Sequence, residues 1–357
     1  MNDAMTAVSD NTERKQLYKD MAPHHLTPLW EILHALVPPR PESKARVALW
    51  RYDDIRPFLM RSADVISAEE AVRRVLILEN PGLSGQSRIT PSLYAGLQLI
   101  LPGEIAPSHR HTQTALRFVV EGQGAYTAVE GERATMSEGD FIITPNWGWH
   151  DHGSDAVEPV VWLDGLDIPM LQFFEAGFAE NGDVSRQAVI HAEGRSEARW
   201  GHNLAPLRET LRDGSASPIF SYPYSRSRES LDYLERHEPV DLWDGFKLRY
   251  INPATGGWPM PTIGTFLQRL PAGFEGQIWR QTDGSVFSVV EGSGQVEVKR
   301  REDEEATVLD FNPRDHFVIP SWHLTRFRSE TGCVLFSFSD RPAQQALSIH
   351  REERLSA

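Results

Sequence analysis

Two stretches, GEIAPSHRHTQTALRFVVEGQG (residues 103–124) and GFEGQIWRQTDGSVFSVVEGSG (residues 273–294), decide how this chain is organised. They run in step at an offset of 170 (279 − 109), and both end in Val-Val-Glu-Gly-x-Gly. DFIITPNW (residues 140–147) then matches DHFVIPSW (residues 315–322) at an offset of 175 (322 − 147). Two matches in the same order, with one modest insertion between them, mean a duplicated domain.

The texture around the first stretch is that of strands. Leu93, Ala95, Leu97, Leu99 and Leu101 alternate with Tyr94, Gly96, Gln98 and Ile100, a period of two. Short strands over 116–121, 124–129, 140–144 and 160–163 follow, separated by Gly, Pro or Asn turns, a spacing that argues for an all-β barrel or sandwich. Upstream the pattern is helical. One helix is expected over 11–21. Another starts at Thr27 with Pro28 in its first turn, shows Leu29, Leu33, Leu36 and Val37 along one face, and stops at Pro38-Pro39. A helical stretch over 67–74 leads into a strand over 75–78. Five segments are expected: a helical arm with the first strands (1–88), a first barrel (89–168), a connecting segment (169–257), a second barrel (258–345) and a tail (346–357). The first dozen residues read as disordered.

Bulk properties narrow the function. The 357 residues carry a formal charge of −14, which disfavours nucleic acid or an anionic membrane as a partner. A single cysteine, Cys333, excludes an internal disulfide framework, suits a reducing compartment and is expected to be buried. With no apolar run of membrane length and no signal-peptide pattern, the expected location is the cytoplasm.

The copies differ where chemistry is expected. His109 falls on Trp279, His111 on Gln281 and His150 on Thr325, so three histidines vanish together while the framework stays. A set lost as a unit behaves like a metal site that one copy has abandoned. Residues i and i+2 of a strand share a face, so His109 and His111 present two imidazoles to one side, and His150 after the 145–148 turn closes the triad. Neutral imidazoles suit Fe(II), Mn, Ni, Cu or Zn. Surface or core histidines without a metal are the alternative.

Gly103, five residues, His109-Arg110-His111 and Gly122 resemble the first cupin motif; Gly139, five residues, Pro145, four residues and His150 resemble the second. Cupins usually add a glutamate ligand, and that position here is Ala115. The gentisate 1,2-dioxygenase family of bicupins shares the departure. ENPGL, SLYAGLQLILPGEIAP, HRHTQTALRFVVEGQGAYTAVEGE, GDFIITPNWGWHDHG and WLDGLDIP are all similar to it, over most of the chain. The resemblance implies a mainly β bicupin fold with N-terminal helices and a homotetramer. It also implies an Fe(II)-dependent enzyme that opens gentisate with O2 to give maleylpyruvate, breaking the bond between the carboxylate- and hydroxyl-bearing carbons. Salicylate, substituted salicylate or 1-hydroxy-2-naphthoate cleavage is the nearest alternative. A bicupin that binds metal or ligand without oxygenase activity, and a Zn- or Mn-dependent isomerase or hydrolase, come from other classes. Three neutral ligands leave the metal its full charge and up to three open positions, which favours a chelating anionic 2-hydroxy acid together with O2.

Several residues are candidate contacts. Arg117, in an apolar strand and replaced by Phe287 in the second copy, reads as a carboxylate clamp or as a solvated arginine. Tyr94, Gly96 and Gln98 share one strand face; Gly96 against Phe266 suggests room for a ring-shaped ligand, or a tight strand crossing. His152 reads as an acid–base partner or as a satisfied neighbour of the site, and Asp164 as the group that orients a ligand histidine or caps a turn. Arg73 is added by the resemblance. Trp147 and Trp322, kept in both copies, are expected to pack in cores; His323 is not expected to bind metal.

Overall fold

The computed structural model describes residues 12–202, 205–207 and 216–355; the expected disordered start and the first residue of the 11–21 helix lie largely outside that range. Residues 12–42 belong to a unit of their own, with helices Thr12–Met21 and Leu29–Leu36 joined through a short 3-10 turn. From Ser43 onward the chain forms one compact unit dominated by antiparallel strands.

That unit holds two barrels, each of two sheets. In the first barrel one sheet runs, in spatial order, Ser221–Tyr222, Phe141–Thr144, Ala115–Glu121, Val160–Leu166, Tyr94–Ile100, Val75–Ile77. The facing sheet runs Ala179–Asn181, Ile105–His111, His150–Ser154, Ala125–Val129, Glu132–Thr135. The second barrel repeats this plan: Gly264–Leu270 pairs with Phe246–Arg249 and Cys333–Ser339, and Trp279–Gln281 with Glu352–Arg354 and Leu324–Ser329. Two edge strands cross the expected boundaries. Ala48–Trp50, upstream of the first barrel, pairs with His316–Ile319 of the second, and Ser221–Tyr222 of the connecting segment closes the first barrel's sheet.

Strand alternation sorts the side chains. Leu116, Phe118 and Val120 face a large core that also contains Phe336, Phe338 and Val286, so the barrels pack sheet against sheet. Phe118 stacks on Phe336 with ring centroids 4.1 Å apart. The other face of the same strand, Ala115, Arg117 and Val119, looks into the first barrel, where Val119 packs with Ile142 and Trp162. The second barrel fills its interior with Phe287, Phe317, Phe327 and Leu335, and Cys333 is buried there as expected.

Two helices were not legible. Tyr52–Val65 carries Pro57 inside it, and Tyr224–His237 lies in the connecting segment. The helix expected over 67–74 is only Ala68–Ala71, because Val72 takes φ 55° and ψ −46° and ends it. Trp147 and Trp322 also depart from expectation. Each is half-buried in a turn at positive φ (60° and 63°) and donates its backbone N–H to the carbonyl of His111 or Gln281. Each ring lies under an arginine, Arg110 or Arg280, at 4.4 and 4.9 Å. Their retention in both copies reflects this turn, not core packing.

Candidate metal centre

Strand pairing brings the three histidines together. His109 and His111 lie two residues apart on Ile105–His111, and His150 is the Cα partner of His109 on the neighbouring strand. Ring centroids are 4.1 Å (His109–His150), 4.8 Å (His111–His150) and 5.2 Å (His109–His111). One nitrogen from each lies within 4.8 Å of the others, the one such grouping of potential ligands among the described residues.

The tautomers are set by backbone carbonyls. His111 Nδ1 lies 2.8 Å from the Gln113 carbonyl and His150 Nδ1 lies 2.9 Å from the Gly148 carbonyl, so each Nδ1–H donates and leaves Nε2 as a bare lone pair. His150 Nε2 is buried without a hydrogen-bond partner, an arrangement that costs free energy unless a cation takes the lone pair. Burial, then the positive charge of Arg73, pushes His109 down to about 2. Burial likewise takes His111 down to about 4 and holds His150 well below its ordinary value. All three imidazoles are neutral at physiological pH, the form a metal needs. A three-nitrogen, carboxylate-free donor set fits a divalent first-row transition ion.

Two arginines face the triad. Arg73 Nη2 lies 2.5 and 3.1 Å from the two ring nitrogens of His109, and burial followed by repulsion from Arg117 lowers the guanidinium to about 10. Its sequence neighbour Arg74 is spent on a buried ion pair with Glu104 at 2.8 Å. Arg117 is 4% exposed inside the barrel, as strand parity requires. Its Nη1 donates to Thr144 Oγ1 (2.6 Å) and its Nη2 to His152 Nε2 (2.9 Å), while Nε lies 3.6 Å from Asp164.

The remaining candidates take less direct places. His152 is fully buried with both nitrogens occupied: Nε2 accepts from Arg117, so Nδ1–H faces Thr127 Oγ1 at 3.0 Å. Asp164 does not orient a ligand histidine. Its Oδ1 accepts from the Trp162 indole at 3.0 Å and it faces Arg117, and burial raises it to about 6. The orienting role falls to the Gln113 and Gly148 carbonyls, which side-chain identity does not disclose. Gly96, opposite Asp164 and Ile77, has no open space above it: a Cβ there would meet Val75 Cγ1 at 2.6 Å and the Tyr94 hydroxyl at 2.8 Å. The close approach of its neighbours explains the glycine. Burial raises Tyr94, keeping its phenol protonated. Gln98 is buried in the next inward position, and it and Arg73 line one small cleft. His323 Nδ1–H donates to the Ser321 carbonyl at 3.0 Å, and the residue joins no metal-capable cluster among the described residues.

Comparisons with known proteins agree with this geometry. The cupin-domain family profile matches residues 96–166. The chain is 49% identical over 342 residues to gentisate 1,2 dioxygenase 1 of Aquipseudomonas alcaligenes, covering 96% of each. It is 36% identical to a gentisate 1,2-dioxygenase of Streptomyces sp, covering 97% of this chain and 98% of that one. Among solved structures, salicylate 1,2-dioxygenase from Pseudoaminobacter salicylatoxidans, as its adduct with gentisate, superposes with a TM-score of 0.89 at 36% identity, covering 99% of this chain and 97% of that one.

Proposed function

The chain belongs to the gentisate 1,2-dioxygenase family of bicupin ring-cleaving dioxygenases, and from that premise we propose that it opens gentisate with O2 to give maleylpyruvate. The observation that carries the reading is the pair of guanidiniums, Arg73 and Arg117, set against three neutral imidazoles with no carboxylate among the ligands. Such a site is strongly cationic once a metal is bound, so it favours an anionic substrate that brings its own oxygen donors.

In this reading His109, His111 and His150 would hold a ferrous ion, the last two through the Nε2 lone pairs their carbonyl partners leave free. Bound there, the ion supplies a Lewis-acidic, redox-active point at which a 2-hydroxy acid and O2 meet. Arg73, lying on His109, clamps the substrate carboxylate. Arg117 adds positive charge from inside the barrel and is held in place by Thr144, His152 and Asp164. His152, whose two nitrogens are engaged, keeps Arg117 oriented and supplies a neutral wall. Tyr94, a protonated phenol over Gly96, offers a hydrogen-bond donor to a ring hydroxyl. The enzyme is proposed to act in the cytoplasm as a homotetramer; no helix among the described residues is long and apolar enough to cross a membrane.

A second reading, salicylate cleavage, is supported by the likeness to the salicylate 1,2-dioxygenase structure. Anaerobic reconstitution with Fe(II), followed by oxygen uptake and near-ultraviolet product absorbance with gentisate and salicylate, separates the two. Gentisate is expected to be turned over faster. Equal rates would overturn the preference for gentisate, and full activity with zinc would overturn the ferrous assignment.

A further inference from the structure

The second barrel has lost its metal ligands, but it has kept a mouth. A pocket of about 280 Å³ opens there, lined among others by Lys247, Phe266, Trp279, Gln281 and Arg341. Strand register shows that it is the counterpart of the metal centre. Gln98 pairs with Val75 and Gly96 with Ile77 in the first barrel; Gln268 pairs with Lys247 and Phe266 with Arg249 in the second. His109 pairs with His150, and Trp279 with Thr325. Val75 and Ile77 have thus become Lys247 and Arg249, and the three imidazoles an indole (Trp279), an amide (Gln281) and a hydroxyl (Thr325).

Three of these residues, Lys247, Trp279 and Gln281, form one surface with Phe266 and with Arg341 of the helix Arg341–Ala346. Phe266 and Trp279 make an aromatic floor, with the Lys247 ammonium 5.2 Å from the first ring and 5.6 Å from the second. The Arg341 guanidinium lies 5.4 Å from the Phe266 ring centroid. Both cations are held at low exposure: Lys247 by Asp244 at 3.1 Å, and Arg341 by the fully buried Asp283 at 3.2 Å. Gln281 is 7% exposed; its amide oxygen accepts from Arg341, and its nitrogen donates to Ser285 at 3.0 Å. Trp279 is buried with its indole N–H unpartnered, a cost that a core-filling residue would avoid.

We propose that this mouth is a second, non-catalytic binding site for a small organic carboxylate, the charged group lying between Lys247 and Arg341 and the carbon skeleton on Phe266 and Trp279. An ammonium with one carboxylate neighbour retains donors for an incoming anion, and an aromatic floor under two cations suits a flat or short carbon skeleton. The size sits at the small end of ligand pockets. The site does not depend on the metal chemistry of the first barrel.

The test is isothermal titration of chelator-stripped full-length protein with sodium benzoate, in the parent and in Lys247→Gln, Lys247→Arg and Arg117→Met. Saturable binding is expected, weakened about tenfold or more by Lys247→Gln, the scale of one charge-assisted hydrogen bond. Lys247→Arg and Arg117→Met are expected to keep it, and gentisate turnover of the iron-loaded Lys247→Gln protein to match the parent. No saturable heat, or loss in Arg117→Met with none in Lys247→Gln, overturns the proposal. A lowered melting temperature in Lys247→Gln with unchanged benzoate binding would instead make the cluster an ion-pair staple for strand Glu352–Arg354, and overturn it too.

Discussion

Replacing His316 by phenylalanine would give the second barrel the residue type that the first carries at the matching position, Phe141. His316 is fully buried on strand His316–Ile319, facing the edge of Tyr52 at 6.4 Å, and neither of its ring nitrogens has a hydrogen-bond partner. Leaving a buried polar group unsatisfied costs about 1–3 kcal/mol, against which the bulkier ring carries an overpacking cost of similar size. The two nearly cancel, so a change of no more than about 1 kcal/mol in either direction is expected at pH 7.5. The pH dependence is the sharper quantity. Burial pushes His316 down to about 3, so the folded state refuses a proton that the unfolded chain takes up below its ordinary value near 6.5. The resulting penalty is absent above that value and grows as pH falls toward 3. One unit below it, at pH 5.5, it amounts to about 1.4 kcal/mol, which the phenylalanine variant escapes. Urea denaturation of metal-stripped parent and variant at both pH values measures the gap. A gap that stays constant between pH 7.5 and 5.5 would refute the burial argument, whatever its size at pH 7.5.

Three further outcomes follow from the same geometry. Alanine at His109, His111 or His150 should each abolish retention of Fe(II) through gel filtration, read by metal analysis; undiminished metal in any one would remove that residue from the ligand set. Arg117→Ala leaves Asp164 buried without its cation and should cost about 3–5 kcal/mol in chemical denaturation, with part recovered in the Arg117→Ala, Asp164→Asn double variant. Strict additivity of the two changes would show that the pair is not coupled. Gly165→Ala drives a methyl to within 2.8 Å of the Phe338 ring across the contact between barrels and should destabilise by about 1–3 kcal/mol, seen as a lowered urea midpoint with little change in KM.

Much of this architecture could be read from the residues. The two matched stretches disclosed the duplicated barrels, because strand alternation and Gly-bounded turns are local properties that survive divergence. His109, His111 and His150 were legible for a related reason: two lie at strand spacing and all three disappear together in the other copy. Arg117 was placed inside the barrel by parity alone, and Phe287 fills the matching interior position. What stayed hidden depends on distant partners. Asp164 could not be assigned to Arg117 without knowing that their strands are neighbours. The Gln113 and Gly148 carbonyls that set the histidine tautomers belong to backbone, which every residue has. Gly96 invited the idea of an open space, whereas Val75 and the Tyr94 hydroxyl already fill it. The helix Tyr52–Val65 was obscured by its internal proline.

The edge strand Ala48–Trp50 sets an order of events for the newborn chain. It leaves the ribosome well before the strand it pairs with, His316–Ile319, since Ala48 and its partner Val318 are 270 residues apart (318 − 48). Until then an extended segment rich in Val, Ala, Leu and Trp has no hydrogen-bonding partner, which is a hazard for aggregation. Neither half should therefore mature alone. A chain cut between the barrels would leave the later one with an unpaired margin, and supplying residues 43–52 as a separate peptide should restore its solubility.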